Sequence, residues 1–294
     1  MPDFSIIIPC YNAVDTLQAT LSSIQAQTCR DWEVICVDDG STDATLDMLH
    51  AASAQDPRIQ VYQNASKGPS SARDLGGMFF ANCEIIAFCD ADDIWGPDKL
   101  RQLATCFADP KVDAVFGKIA FFQDDPVLAT TFSTVPSSPL SIPMLLGENP
   151  VCTMSNIAVR NTAFMRAGGF DETMVHNDDL EWLIRLVGTG AHVVGIDKCQ
   201  TWYRTSRYGL SADLRAMQRG REGAIRTAAT FGHAPNRQSD AIFLRYLSRR
   251  ALRLGQGRLL PLTFALQGIL RSPAGFFNAP RRGLATLAGA LFAP

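Results

Sequence analysis

Three aspartates fall within four residues in the stretch EIIAFCDADDIWGPDKL, at Asp90, Asp92 and Asp93, directly after an apolar run from Ile85 to Phe88. Like charges this close repel, and gathering them at the end of a buried strand is costly unless something neutralises them. Three chemistries meet that need. One aspartate could cap the segment that starts near Pro97, which accounts for one carboxylate and not three. Two could share a proton, as acid–base dyads do. Or the cluster could hold a hard divalent cation, Mg2+ or Mn2+, which takes one or two carboxylates together with phosphate oxygens. A metal bridging a diphosphate fits best. A second acidic pair, Asp178 and Asp179 in NDDLEWLIRL, opens an apolar helical pattern. As helix N-terminal charge the pair is favoured by the dipole.

The elements that must position these groups are legible from the hydrophobic period. FSIIIP (4–9) is a short strand stopped by Pro9, and residues 14–28 place Leu17, Leu21 and Ile24 at helical spacing. WEVICVDDGSTD, IQVYQN and EIIAFCD are further strands, separated by helical patterns over 43–55 and 70–83. Alternating β and α units with apolar strands predict a parallel sheet covered by helices. Ligands of such sheets bind beyond the carboxyl ends of the strands. The polar groups there, Pro9 to Asn12, Asp38 to Ser41 and Asp90 to Asp93, should therefore converge on one rim. From about residue 112 the pattern turns to strand-like segments and a Pro/Ser-rich loop at 133–143, and beyond about 213 it is arginine-rich and helical.

The net charge of −2 hides an asymmetry. Residues 1–200 carry 12 Lys and Arg against 26 Asp and Glu, whereas residues 201–294 carry 15 Arg, no Lys, and Asp213, Glu222 and Asp240 as their acids. An acidic half of this kind suits a metal or nucleotide, and a basic half suits an anionic partner. The eight cysteines show no C-x-x-C pair or zinc spacing and are expected to be reduced, mostly buried thiols. The N-terminus has neither a basic region nor a small-residue cleavage site, so no signal peptide is expected. Two apolar runs, 259–270 and 283–293, are too short to span a bilayer.

Taken in order, SIIIPCYNA, VDDGSTD, GPSSARDLG, FCDADDIWGPDKL, GGFDE and NDDLEWLIRL resemble the motifs of the family 2 glycosyltransferases, over about residues 3–212. The resemblance implies a GT-A fold, α/β and Rossmann-like, with a mostly parallel central sheet flanked by helices. It also implies a divalent metal, a nucleotide-sugar donor (most often UDP-sugar) and inverting transfer to a hydroxyl of a glycan or lipid-linked acceptor. Within it, residues 1–110 form the nucleotide-sugar half and 111–212 the acceptor half, while 213–294, outside the resemblance, form a basic helical C-terminal extension. Pro9 and Tyr11 match positions lining the base pocket, Asp39 the carboxylate that accepts from the base, and Arg73 a basic residue facing the nucleotide. Asp90 matches the ribose contact and a metal neighbour, and Asp92 the metal ligand. Aligning Arg185 with the family's arginine makes Asp179 the expected base, with Asp178 second, although the family writes Glu-Asp where this chain has Asp-Asp. Arg204, Arg207 and Ser211 match a segment that closes over the donor, and Trp182 could stack on an acceptor sugar or belong to the core.

The arginine-rich extension admits a helical cap or a peripheral attachment to an anionic membrane surface, which would place a cytoplasmic enzyme on the inner membrane face. Nucleic-acid binding is not expected, because the segment offers few aromatics for stacking. Two rival functions remain. A sugar nucleotidyltransferase would show a glycine-rich basic phosphate loop, which PCYNAVDT lacks. A catalytically silent nucleotide-sugar-binding protein would have lost Asp92 or the Asp178/Asp179 pair, and both are present.

Overall fold

The structure, a computed structural model, describes residues 3–205 and 212–293. The chain divides into two compact units, one of residues 1–140 and 150–205, the other of residues 141–149 and 206–294.

The first unit opens with the expected alternation. Strands β1 (Phe4–Cys10), β2 (Trp32–Asp38), β3 (Ile59–Gln63) and β4 (Ile85–Phe88) are separated by helices α1 (Leu17–Gln25), α2 (Thr45–Gln55) and α3 (Pro69–Asp74). They pair in parallel in the order β3-β2-β1-β4. Continuous apolar runs such as Ile6–Ile8 and Val34–Val37 are buried on both faces, as a helix-covered parallel sheet requires. Pro9 does not stop β1. Ile7 is the last residue paired with β4, and its carbonyl accepts from Cys89. Pro9 has the same parity, so its missing N–H faces the side where β4 has already ended.

Beyond β4 the sheet becomes mixed. The remaining elements are β5 (Ile94–Trp95), α4 (Lys99–Phe107), β6 (Ala114–Phe122), β7 (Thr131–Phe132), β8 (Ile157–Arg160), α6 (Asn161–Ala167), α7 (Asp178–Gly188) and β9 (Val193–Arg204), with α5 (Ile142–Leu145) in the other unit. Strand β8 runs antiparallel between β4 and β6, β6 is parallel to β9, and β5 and β7 add antiparallel edges. Helix α3 continues as a π-helical stretch, Leu75–Phe80. Two glycines there let it press on its neighbours: a Cβ at Gly76 would lie 2.5 Å from Ile7, and one at Gly77 2.9 Å from Phe164.

The second unit is helical. It comprises α8 (Leu214–Thr230), α9 (Arg237–Arg253), α10 (Leu259–Arg271), α11 (Pro273–Phe276) and α12 (Pro280–Phe292) together with α5. Asn236 and Ser239 cap α9 reciprocally. Its interior is built from Leu214, Met217, Phe243, Leu247 and Phe264, with a second cluster of Ala241, Ala265, Phe276 and Ala290. Among the described residues no helix is long and apolar enough to cross a membrane.

Candidate functional site

The strand ends converge on one rim. The backbone N–H of Asp39 donates to the Cys10 carbonyl, that of Asn12 to Ser41 Oγ, and that of Thr42 to Asn12 Oδ1, which ties the loops after β1 and β2 together. Pro9 is half-buried in β1, and the Tyr11 ring is 57% exposed with the Lys67 ammonium 5.9 Å from its centroid. Asp38 is buried and supports the turn, its Oδ2 accepting from the backbone of Gly40 and Ser41. Asp39 is less buried. Asn64 Nδ2 donates to its Oδ1 at 2.8 Å and the Gly68 N–H reaches both oxygens, which leaves its carboxylate capacity for one further donor.

The Asp90–Asp93 turn is held from three sides. Helix α1 and the residues that flank it supply a row of polar side chains. Thr16 and Thr20 donate to the Ala91 carbonyl, Thr20 also to that of Asp93, Ser23 Oγ accepts from the Trp95 N–H, and Gln27 donates to the Gly96 carbonyl. From the segment before β8, Ser155 Oγ accepts from the Asp90 N–H and Thr153 donates to Asp90 Oδ2. The Ser155 carbonyl in turn accepts from Trp95 Nε1 and Lys99 Nζ, burying that lysine. From β9, Arg204 donates its backbone N–H to Asp93 Oδ1 and its Nε to the Asp92 carbonyl. Asp93 is fully buried, and burial, then Asp92 and Asp90, push its carboxyl well up. Asp92 is only partly covered, and burial followed by Asp90 raises it to about 6.

Arg73 joins the two acidic groups. Its guanidinium lies 2.7 Å from Asp90 and 3.3 Å from Asp178, and Ser70 donates to the same Asp178 oxygen at 2.8 Å. The GG in GGFDE explains how α7 is brought there. Gly168 sits at φ 69°, a conformation glycine adopts without strain, and a Cβ on Gly169 would lie 2.4 Å from the Asp74 carboxylate, which accepts the Phe170 N–H. Arg185 donates to the carbonyls of Ala167 and Gly168 while paired with Glu181, so the arginine of the motif ties α7 to the glycine loop. Asp179 stands at the start of α7, and burial, then Asp178, raise it to about 7.

Of the two places open to Trp182, acceptor contact or core, it occupies the core. It is fully buried, packed against Phe88, Phe164 and Phe170 at centroid distances of 6.1, 5.8 and 5.1 Å, so no ring face is open to an acceptor sugar. Arg204 donates Nε to the Asp92 carbonyl and Nη1 to the Gln123 carbonyl, and Arg207 and Ser211 lie outside the described residues. Residues that motif matching did not single out include Ser70, Asp74, Thr153 and Ser155, together with the α1 row. Thr16, Thr20 and Ser23 were legible, since polar residues spaced by four and three share a helix face, whereas Gln27 follows the end of the helix.

Residues 5–168 match the model of glycosyl transferase family 2, and the chain belongs to that family. Two Escherichia coli relatives are both named UDP-Glc:alpha-D-GlcNAc-diphosphoundecaprenol beta-1,3-glucosyltransferase. WfaP is 28% identical over 213 residues, 71% of this chain and 80% of that protein. WfgD is 32% identical over 125 residues, 42% of this chain and 48% of that protein. A glycosyltransferase of Nostoc sp. is 38% identical over 104 residues, with only 32% of its length covered. The chain thus spans half or less of two of these three relatives. Among solved structures, the mannosyltransferase PcManGT of Pyrobaculum calidifontis, in complex with GDP-Man and Mn2+, gives a TM-score of 0.62 at 20% identity, covering 99% of this chain and 88% of that one. S. aureus TarS in complex with UDP-GlcNAc gives 0.60 at 16% identity, covering 98% and 79%. The fold is that of the GT-A glycosyltransferases, with C-terminal helices added.

Proposed function

We propose that the chain is an inverting glycosyltransferase that moves a sugar from a nucleotide-sugar, UDP-sugar first among donors, to a hydroxyl of a glycan or lipid-linked acceptor. The observation that carries this reading is the Arg73 guanidinium, which binds Asp90 of the rim and Asp178 of α7 at once and so makes two acidic groups far apart in sequence one site. The E. coli relatives are named for a UDP-Glc donor and a diphosphoundecaprenol acceptor, which supports this choice.

Asp92, with Asp90 beside it, suits a divalent cation. Among the described residues no group of three metal-ligating side chains forms a closed cage. One or two carboxylates that leave room for substrate phosphates are the donor set Mg2+ and Mn2+ take. When bound, such an ion neutralises the clustered carboxylates and the departing diphosphate. The chain's own residues do the rest. Tyr11 offers an exposed ring to the base, Asp39 accepts from it, and Asp90, held by Thr153 and Arg73, faces the ribose. Asp179 takes the acceptor hydroxyl proton as that oxygen bonds to the anomeric carbon and the bond from that carbon to the diphosphate oxygen breaks, releasing UDP in one inverting displacement. Asp178, already engaged by Ser70 and Arg73, is better placed to hold Arg73 than to move a proton.

Calorimetric titration with UDP, with and without Mn2+, on the wild type and Asp92→Ala tests the reading. Mn2+-dependent binding that the substitution removes supports it. Binding of GDP in place of UDP would change the donor class, and binding of no nucleotide under any metal condition would sink it.

A further inference from the structure

The C-terminal unit gathers four arginines around one carboxylate. Arg245, Arg249 and Arg253 succeed one another at four-residue spacing along one face of α9, and Arg282 of α12 lies beside Arg249. Glu148 serves two of them: Arg282 reaches Oε1 at 2.8 Å and Arg245 lies 3.5 Å from Oε2. Arg245 is only 2% exposed. It donates Nη1 to the Phe276 carbonyl and Asn278 Oδ1, and its Nε has no partner among the described residues. Arg249 is half-buried and makes no hydrogen bond or ion pair among the described residues. Burial and then Arg282 push its guanidinium down to about 10, so it remains charged at neutral pH. Glu148 offsets this only in part, because it is paired with Arg245 and Arg282, and Asp240 is held by Arg221 and Arg271.

Guanidiniums cannot shed their protons to ease such crowding, so compensation has to come from an anion. Their planar forks match phosphate oxygens two at a time. We propose that Arg245, Arg249, Arg253 and Arg282 form a binding site for a phosphate-bearing anion, with Arg249 as the guanidinium that meets it directly. Exposed Leu259, Leu266 and Leu270 on α10 and Leu284 and Phe292 on α12 give a lipid headgroup a physical claim beside free phosphate. The inference stands on the C-terminal unit alone and does not depend on sugar transfer.

The test uses the full chain in EDTA without nucleotide, titrated with inorganic pyrophosphate at constant ionic strength and read by calorimetry and thermal unfolding. Saturable binding that raises the melting temperature is expected. Arg249→Gln should weaken it roughly tenfold to a hundredfold, with Arg249→Lys between. Without pyrophosphate, Arg249→Gln should melt at or above the wild-type temperature, because it removes a half-buried charge that Glu148 alone offsets against three neighbouring guanidiniums. Equal affinity in the wild type and Arg249→Gln, or a lower melting temperature of that variant without ligand, overturns the proposal. A second arm floats the protein with phosphatidylcholine vesicles with and without phosphatidylglycerol. Capture that needs both phosphatidylglycerol and Arg249 assigns the phosphate to lipid, pyrophosphate binding without capture assigns it to a soluble ligand, and neither overturns the site. UDP titration with Mn2+ reports the donor rim separately.

Discussion

The Asp90–Asp93 rim and the Arg245–Arg282 cluster pose the same electrostatic problem with opposite sign. Carboxylates crowded at a strand end can escape by taking up protons, and burial raises Asp92 to about 6 and Asp93 well above its ordinary value. Arginines lack that escape, and Arg249 at about 10 stays charged at any physiological pH. The rim is therefore a titrating site that a cation can hold ionised, whereas the arginine cluster is a permanent positive charge that an anion can cover. Polar support differs as well. Around the aspartates, Thr16, Thr20, Ser23 and Ser155 satisfy the backbone and Thr153 holds the Asp90 carboxylate, while Arg249 has no comparable hydrogen-bond partner among the described residues.

The largest expected effect lies on the acidic side. Asp179→Asn should lower kcat about a hundredfold to ten-thousandfold with UDP affinity unchanged, the cost of losing a positioned base. Because the base must be ionised, wild-type kcat/KM should rise with pH and level off above about 7. A pH–rate profile with no limb near that value would remove Asp179 from the role.

Next comes stability. A carboxyl whose folded pKa is raised favours the fold when protonated, so its contribution is complete below 3.8 and is lost as pH rises through about 6. Metal-free Asp92→Asn should therefore be more stable than the wild type at neutral pH by about 1–3 kcal/mol, and the gap should close in acid. Denaturant unfolding at several pH values, with and without Mn2+, checks this. A variant less stable at neutral pH would contradict the account of the rim as a strained apo state.

Gly169→Ala follows. Its Cβ would sit 2.4 Å from the Asp74 carboxylate, so either Asp74 or the loop must yield. The expected cost is about 1–3 kcal/mol, with kcat falling more than UDP affinity because the loop positions α7 and not the donor rim.

Much of this was legible from residue order. Strands and rim clusters follow from unbroken apolar runs that end in polar groups, and the acidic helix from its charged first turn. Trp182 was legible only as a choice between core and acceptor contact. It lies one turn from Asp179, but its surroundings, Phe88, Phe164 and Phe170, come from a distant strand and a helix–loop pair that only tertiary packing assembles. Pro9 misled because parity relative to β4 decides whether its missing donor matters. The arginine excess was visible as composition, but which guanidinium lacks a carboxylate depends on α9 and α12 lying side by side.

The smallest effect sharpens the contrast between the two regions most directly. Thr20 is fully buried, and its hydroxyl is shared between the Ala91 and Asp93 carbonyls at 3.0 and 2.9 Å. Thr20→Val keeps the shape and removes that donor, leaving the Asp93 carbonyl short of a partner and the Ala91 carbonyl with Thr16 alone, at a cost of about 1–2 kcal/mol. Thr263 makes the same kind of bond, donating to the Leu259 carbonyl, but on an exposed face of α10 where water can replace it. Thr263→Val should change stability by no more than about 0.5 kcal/mol. If the rim turn is what orders Asp92 for a cation, Thr20→Val should also weaken Mn2+-dependent UDP binding severalfold, while Thr263→Val leaves it alone. Equal effects of the two substitutions would show that the α1 row contributes ordinary helix packing and does not prepare the acidic turn.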